Sequence, residues 1–437
     1  MRPVLTAVAV TALALPAAAQ RSIPVVDLPP AAAKTTETLG AVLGVRQLPR
    51  GALLVNDAGR RQIRLFDSSL ATSTIVLDSA AGGSRSYGRR PAPLLAYAGD
   101  SSLFPDYQSR TVIVLDDRGQ VARSLALPIV DDIGLIRAGA GVDDKGRVIY
   151  ASGPTRTQAT APGEFPTYGD SVPILRADLT LRRTDTLGQV ARPEGRTSGR
   201  TPDGGATITL WTIDPLRTID NWAVVSDGSL ALVRGHDYHV DWVRSNGATS
   251  SAPKMPFDWK RLNADDKQRI VDSTRAELDS AIANGTIVDR LDAVEVIRAP
   301  GGGRPSAPPP AGDAPRSGRS GGGGGGRGNP LAGMTLLPPD VISLDKIADY
   351  YPPLRPGAAM ADLDGHLWLL PTTSAQSRRG ELVYDMVNGN GELFQRVRVP
   401  LGRLIVGFGR GGVVYMTSGN RGAGYVLERT VLPASPR

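Results

Sequence analysis

Short apolar runs and glycine-centred turns alternate along most of the 437 residues. One pattern recurs. In Val142-Asp-Asp-Lys-Gly-Arg-Val-Ile-Tyr-Ala-Ser152 a turn signal leads at once into strand-forming residues. The same pattern returns at Ser226-Asp-Gly-Ser-Leu-Ala-Leu-Val233 and Asp362-Leu-Asp-Gly-His-Leu-Trp-Leu-Leu370. Looser copies start at Pro49, Gly99 and Gly409. Around each copy lie further short strand candidates. Gln62–Asp67 alternates polar and apolar residues as a half-buried strand does. Four such strands joined by tight turns make one antiparallel meander.

Taking Gly51, Asp100, Gly146, Gly228, Gly365 and Gly411 as equivalent points gives steps of 49, 46, 82, 137 and 46 residues. Three of the five match the roughly 40–50 residues of a four-stranded propeller blade. The pattern therefore predicts an all-β chain: a six-bladed β-propeller over residues 22–432, of four-stranded antiparallel blades. The C-terminal blade reads as three strands only. The N-terminal run Ile23–Leu28 is expected to supply its fourth and close the ring, with 31–38 as a loop. The alternative, a pair of β-sandwiches, fits the even spacing less well.

The long steps hold insertions. Residues 153–171 and 191–218 are Gly/Pro/Thr-rich and read as loops. Residues 257–299 are a helical insertion: Asn263 can cap a helix, and Ile270, Val271, Thr274, Leu278, Ala281 and Ile282 recur at helical spacing. Its single apolar stripe should rest on the propeller rim. Residues 300–333 are almost entirely Gly, Pro, Ser, Ala and Arg, cannot bury a core, and are expected to be disordered.

Composition adds an address. Arg2, the apolar run Val4–Leu15 and the Ala-rich stretch before Gln20 form a secretory signal over residues 1–19, cleaved after Ala19. A mature protein in the periplasm or outside the cell follows, with no membrane span and as a monomer. The chain has no cysteine, which fits a bacterial exported protein without disulfides. The formal charge is +7, but one of those charges is Arg2 and the segment 301–330 alone contributes +3. No basic run interleaved with aromatics occurs, so nucleic acid is not expected as a partner.

Candidate chemistry is sparse. Histidines number three: His236, His239 and His366. On a strand, His236 and His239 face opposite sides, so a turn residue and a strand residue are expected rather than a metal pair. Most acidic doublets sit in hairpin turns, where Asp forms local hydrogen bonds. Asp131-Asp132 has no such reason and is a candidate for the channel. Trp211, Asp220, Trp222, Tyr350, Tyr351 and Arg355 flank the insertions and, with the two histidines of blade four, are candidate binding residues. No Gly-x-Ser-x-Gly elbow, phosphate loop, calcium loop or other cofactor motif is present, so no cofactor or metal is assigned.

Asp364-Gly-His-Leu-Trp-Leu, Glu381-Leu-Val-Tyr-Asp-Met with Gly391-Glu-Leu-Phe-Gln-Arg-Val-Arg-Val-Pro400, and Asp144-Lys-Gly-Arg-Val-Ile-Tyr resemble the six-bladed NHL/TolB-like β-propellers of exported bacterial proteins. The resemblance spans most of residues 39–432 and implies architecture. That group includes calcium-dependent lactonases, quinone-dependent sugar dehydrogenases and streptogramin lyases with a catalytic histidine. None of those residue sets can be placed on this chain. Many members are non-catalytic scaffolds. The expected function is a non-catalytic scaffold that binds a protein, peptide or glycan through one face. The alternative is a hydrolase or lyase with its site at the central channel, possible metal assistance included.

Overall fold

The computed structural model describes residues 23–79, 86–88, 91–137, 139–153, 169–191, 197–200, 206–209, 212–283, 334–337, 340–375, 381–420 and 422–433. Residues 1–19, expected to be a secretory signal, residues 284–299 of the expected helical insertion, and residues 300–333 lie outside them.

Six antiparallel sheets succeed one another along the chain. Their innermost strands are Val42–Gln47, Leu95–Ala96, Gly141–Val142, Asn221–Val224, Ala359–Ala361 and Arg403–Phe408. Each innermost strand is followed outward by a second, third and fourth strand. The second strands are the most deeply placed: every residue of Leu53–Asp57, Ser102–Asp106 and Leu367–Leu369 is buried. A propeller covers both faces of every blade with its neighbours, so these strands are buried along their whole length, with Asn56, Asp57, Ser102 and Asp106 buried at their ends.

Between successive blades lies a core of its own. Leu54 and Ile63 of blade one meet Phe104 and Ile113 of blade two. Trp242 of blade four meets Leu367 and Val387 of blade five. Trp368 and Met386 of blade five meet Phe408 and Met416 of blade six. Tyr415 and Leu427 of blade six meet Leu53 and Phe66 of blade one. With the cores joining blades two to three and three to four, all six interfaces of a closed six-membered ring are filled.

The six equivalent points of the sequence share one backbone state. Gly51, Asp100, Gly146, Gly228, Gly365 and Gly411 have φ of +83°, +61°, +76°, +79°, +94° and +72°. Each turns the chain from the first to the second strand of its blade, in the left-handed region that glycine enters without penalty. The turns also touch around the ring. A Cβ on Gly228 would stand 2.7 Å from Asp144 N, and Asp364 accepts hydrogen bonds from Gly411 N and Gly412 N at 2.9 and 2.6 Å.

The N-terminal segment closes the ring, by a different register from the one the sequence implied. The fourth strand of blade six is Ala33–Lys34, pairing antiparallel with Gly424–Val431 through Ala33↔Arg429. Val25–Asp27 instead adds a fifth strand to blade five, parallel to Leu393–Val399 through Val25↔Arg396. Leu28, between them, is buried in the core joining blades five and six. A two-residue strand carries no pattern of its own. Its place is set by Thr35, whose N donates to Leu427 O at 2.9 Å and whose Oγ1 accepts from Leu427 N at 3.2 Å.

In a four-stranded meander, the first-to-second and third-to-fourth turns lie at one end of the ring. The second-to-third turns and the blade-to-blade connections lie at the other. All the short turns of the recurring pattern fall at the first end. The second end carries 152–170, 192–220, 252–358 and 370–381. Two of these connections interlock. Thr197–Arg200 and Ala206–Thr209 form a hairpin to which Met334–Leu337 adds a parallel strand, and Thr212–Ile213 pairs with Asp340–Val341. Residues 191–218, read as loop, thus contain strands whose partner lies more than a hundred residues away. Helix α1, Ala264–Ala283, starts at Asn263, whose Oδ1 accepts from Asp266 N at 2.8 Å. Its apolar stripe meets Leu216, Leu262, Val341 and Ile347, a satellite core built from the connections themselves rather than from the blade rim.

Candidate functional site

The decorated end of blades four and five gathers most of the residues singled out in the sequence. Trp211 lies outside the described residues. Trp222 sits on the inner strand of blade four and packs into the core between blades three and four. Asp220 precedes that strand. Its Oδ1 accepts from Gly235 N at 3.0 Å, and its Oδ2 accepts from Arg234 Nη1 at 2.8 Å and Ala191 N at 2.9 Å. Arg234 also donates from Nε to Asp241 Oδ2 at 2.7 Å. His239 stands between Asp237 and Asp241, with Nδ1 2.6 Å from Asp237 Oδ1 and Nε2 3.2 Å from Asp241 Oδ1. Burial pushes the Asp241 carboxyl up, but hydrogen bonds from Ser251 and Arg234 outweigh it, and the group stays below its ordinary range. His236 is exposed in the preceding turn. The network therefore unites Asp220 with His239 but not with His236. Its function is to tie the second-to-third turn of blade four to the chain entering that blade.

The same tie exists in blades one and two without histidine. Asp57 accepts from Gly40 N and Ala41 N, and Asp106 from Gly88 N, at 2.9–3.1 Å. Asp131 and Asp132 lie on the connection from blade two to blade three. Asp131 meets Arg110 Nη1 at 3.2 Å and is exposed. Asp132 accepts from Tyr150 Oη at 2.6 Å. The exposed Tyr350 pairs by backbone with Arg261 ahead of α1, and Lys260 Nζ lies 5.5 Å over the Tyr351 ring. Arg355 is exposed at the turn into blade five, where its carbonyl accepts from Ala358 N at 3.1 Å.

A second cluster was not singled out in the sequence. Tyr238, fully buried with φ of +55°, donates from Oη to Asp385 Oδ2 at 2.7 Å. Arg396 Nε donates to Asp385 Oδ1 at 2.8 Å. Burial raises the Asp385 carboxyl; the bonds from Tyr238 and Arg396 only partly offset it. Asp385 and Arg396 are cross-strand partners in blade five. Glu381, Val383 and Asp385 stand two apart and so share one face of that sheet. With Phe257, Ser374 and Arg396 they line a cavity of about 270 Å³. Phe257 lies edge-on between Tyr238 and Trp259, its ring centroid 5.6 and 5.0 Å from theirs. A carboxylate within a buried strand, with a base in the facing strand across the Asn388–Gly391 turn, is the signal that finds this pair.

Glu381 also borders a larger cavity of about 760 Å³, under the N-terminal segment, with Arg398, Arg403 and Glu428 on its walls. At the mouth of the central channel on the decorated end, the second residues of two inner strands, Leu43 and Leu404, are 43% and 57% exposed. Among the described residues no group of three His, Cys, Asp or Glu is placed to hold a metal ion, and no helix is long and apolar enough to cross a membrane.

These features define a six-bladed β-propeller, closed by its N-terminal segment and decorated at one end. No known family profile matches the sequence, and no curated protein matches it. Solved structures similar to it include a gluconolactonase from Xanthomonas campestris (10% identity, TM-score 0.36, covering 94% of this chain and 98% of the other). Virginiamycin B lyase from Staphylococcus aureus is similar at 9% identity and a TM-score of 0.38, over 91% and 98% of the two chains. A luciferin-regenerating enzyme is similar at 10% identity and a TM-score of 0.37, over 91% and 92%. At these values the likeness is one of fold and carries no activity to this chain.

Proposed function

We propose that this chain is an exported propeller of the NHL/TolB-like kind that binds a protein, peptide or glycan through its decorated end and does no chemistry on it. One observation carries the reading. The long connections 152–170, 192–220, 252–358 and 370–381 leave one end of the ring, while the opposite end is closed by short turns bonded to one another. Loops positioned by a rigid scaffold are where binding residues concentrate. Several charged side chains at that end are held in ion pairs that fix loops, as Arg234 is with Asp220 and Asp241.

Carboxyl footprinting of the whole protein, with and without envelope extract of the producing cell, tests this. Protection of Asp258, Glu277 and Asp349 at the decorated end is the expected result. Protection confined to Asp144, Asp227 and Asp364 at the opposite end, or none at all, would overturn it. Export is tested by the mass of the purified product, which should begin at Gln20.

A further inference from the structure

The geometry points to a neutral, unbranched oligosaccharide as the ligand, held in the groove that crosses the decorated end of blade five. This rests on the proposed binding function and narrows its ligand. The groove consists of the two cavities that share Glu381 as a common wall, about 270 and 760 Å³. The larger falls in the range of small-ligand sites, roughly 300–1,000 Å³.

Three features of its walls select the chemistry. First, among the described residues the charges come mostly in pairs, with Lys34 and Asp258, of opposite sign, standing alone on the larger and the smaller cavity. Arg396 bonds Asp385 at 2.8 Å, Arg398 meets Asp27 at 3.1 Å and Glu381 at 3.9 Å, and Arg403 meets Glu428 at 3.2 Å. An ionic ligand would have to break such a pair to form its own. A neutral one uses the spare donors of each guanidinium and the spare lone pairs of each carboxylate together. Vicinal hydroxyls, each both donor and acceptor, match that alternation.

Second, the pairs repeat along the strands. Asp385 with Arg396 and Glu381 with Arg398 sit on one face of blade five, two positions apart in Arg396 and Arg398. Successive residues of an extended chain thus meet the same donor–acceptor unit. Third, one end of the groove is aromatic. Phe257 lines the smaller cavity, and Trp259, 43% exposed, stands edge-on against it. Trp259 is not in the lining of either cavity, but its exposed indole adjoins Phe257, and an indole beside the smaller cavity is suited to stack on the apolar C–H side of a sugar ring.

The experiment is titration calorimetry of the full chain with maltohexaose, cellohexaose, laminarihexaose and chitohexaose, at low and high sodium chloride. At least one hexasaccharide should bind saturably, with an affinity changing less than twofold with salt, because no net charge is neutralised. Trp259→Ala, at an exposed position, should weaken binding at least tenfold, and the isosteric Glu381→Gln at least threefold, with both variants unfolding at the wild-type temperature. Binding by none of the four sugars, or binding unchanged in both variants, would overturn the inference. So would tight, salt-sensitive binding of lysine or glutamate decamers in place of sugars. In each of those cases the footprinting result decides separately whether the decorated end binds a ligand at all.

Discussion

At the scale of single residues, the left-handed turn is the unit from which the ring is counted. Asp100 holds with φ of +61° the place that glycine holds in the other five blades. A non-glycine residue there loses roughly 1–2 kcal/mol, while glycine loses about 0.4–1 kcal/mol through the unfolded chain. Asp100→Gly should therefore be close to neutral. Gly411→Ala, with open space around it, should cost about 1–2 kcal/mol. Gly228→Ala adds a collision with Asp144 N and should cost about 2–4 kcal/mol. Urea midpoints of the three variants check the order; an equal loss at 228 and 411 would refute it. The turn of blade five also carries a titration. Asp362 accepts from His366 Nδ1 at 3.0 Å and Trp368 Nε1 at 2.9 Å. The bond to Asp362 raises the histidine. Burial pushes the carboxyl up, yet the bonds from His366 and Trp368 bring it below its ordinary value. The histidine's contribution is complete below its unfolded value of about 6.5 and is lost as pH rises through the higher folded one. The carboxylate's contribution is complete above about 4 and is lost as pH falls through the lower folded value. The stability difference between wild type and His366→Gln should be largest near pH 5 and smaller at pH 9; an equal difference at both refutes the pairing.

At the scale of elements, what was legible in the sequence is what is local. Glycine-centred turns, alternation and capping at Asn263 need only neighbours along the chain, and they placed the strands and helix α1. Pairing between distant segments left no such mark. Met334–Leu337 finds Ala206–Thr209 across the whole insertion, and Ala33–Lys34 finds Gly424–Val431 across the whole chain. The site divides the same way. Trp222, a candidate binding residue, is half-buried on an inner strand and packs into the core shared with the preceding blade. Asp385 went unremarked because its strand looked apolar, and its importance lies in Tyr238, which reaches it from blade four. That bond is one buried polar link between blades four and five, beside the one from Ala358 N to Asn221 Oδ1 at 3.1 Å. Tyr238→Phe leaves Asp385 with Arg396 as its remaining side-chain donor. It should cost about 1–3 kcal/mol, the penalty of an unmet buried acceptor. Phe257 keeps its edge contact, so the loss reads the hydroxyl alone. A urea midpoint equal to wild type would mean that water or Arg396 takes over the bond.

At the scale of the molecule, the ring stands or falls on its last strand. Blade six is three strands of the C-terminus and one from the N-terminus, so no covalent connection holds its outer edge. Residues 23–38 bury Leu28 between blades five and six and bond Arg398, Arg429 and Leu427 through Leu28 N, Ala32 N and Thr35 N at 2.8–2.9 Å. Burying one leucine contributes about 1.5–3 kcal/mol and each hydrogen bond about 1 kcal/mol. Removing the segment also bares the edge of Gly424–Val431, which then can pair with another copy. A chain starting at Leu39 should melt at a lower temperature and self-associate on a sizing column. A synthetic peptide of residues 23–38, added in excess, should restore both properties by mass action. The same peptide carrying Leu28→Asp should fail, because its charge would enter an apolar core. A shortened chain that stays monomeric with an unchanged melting temperature would show that the six inter-blade cores hold the ring without the clasp.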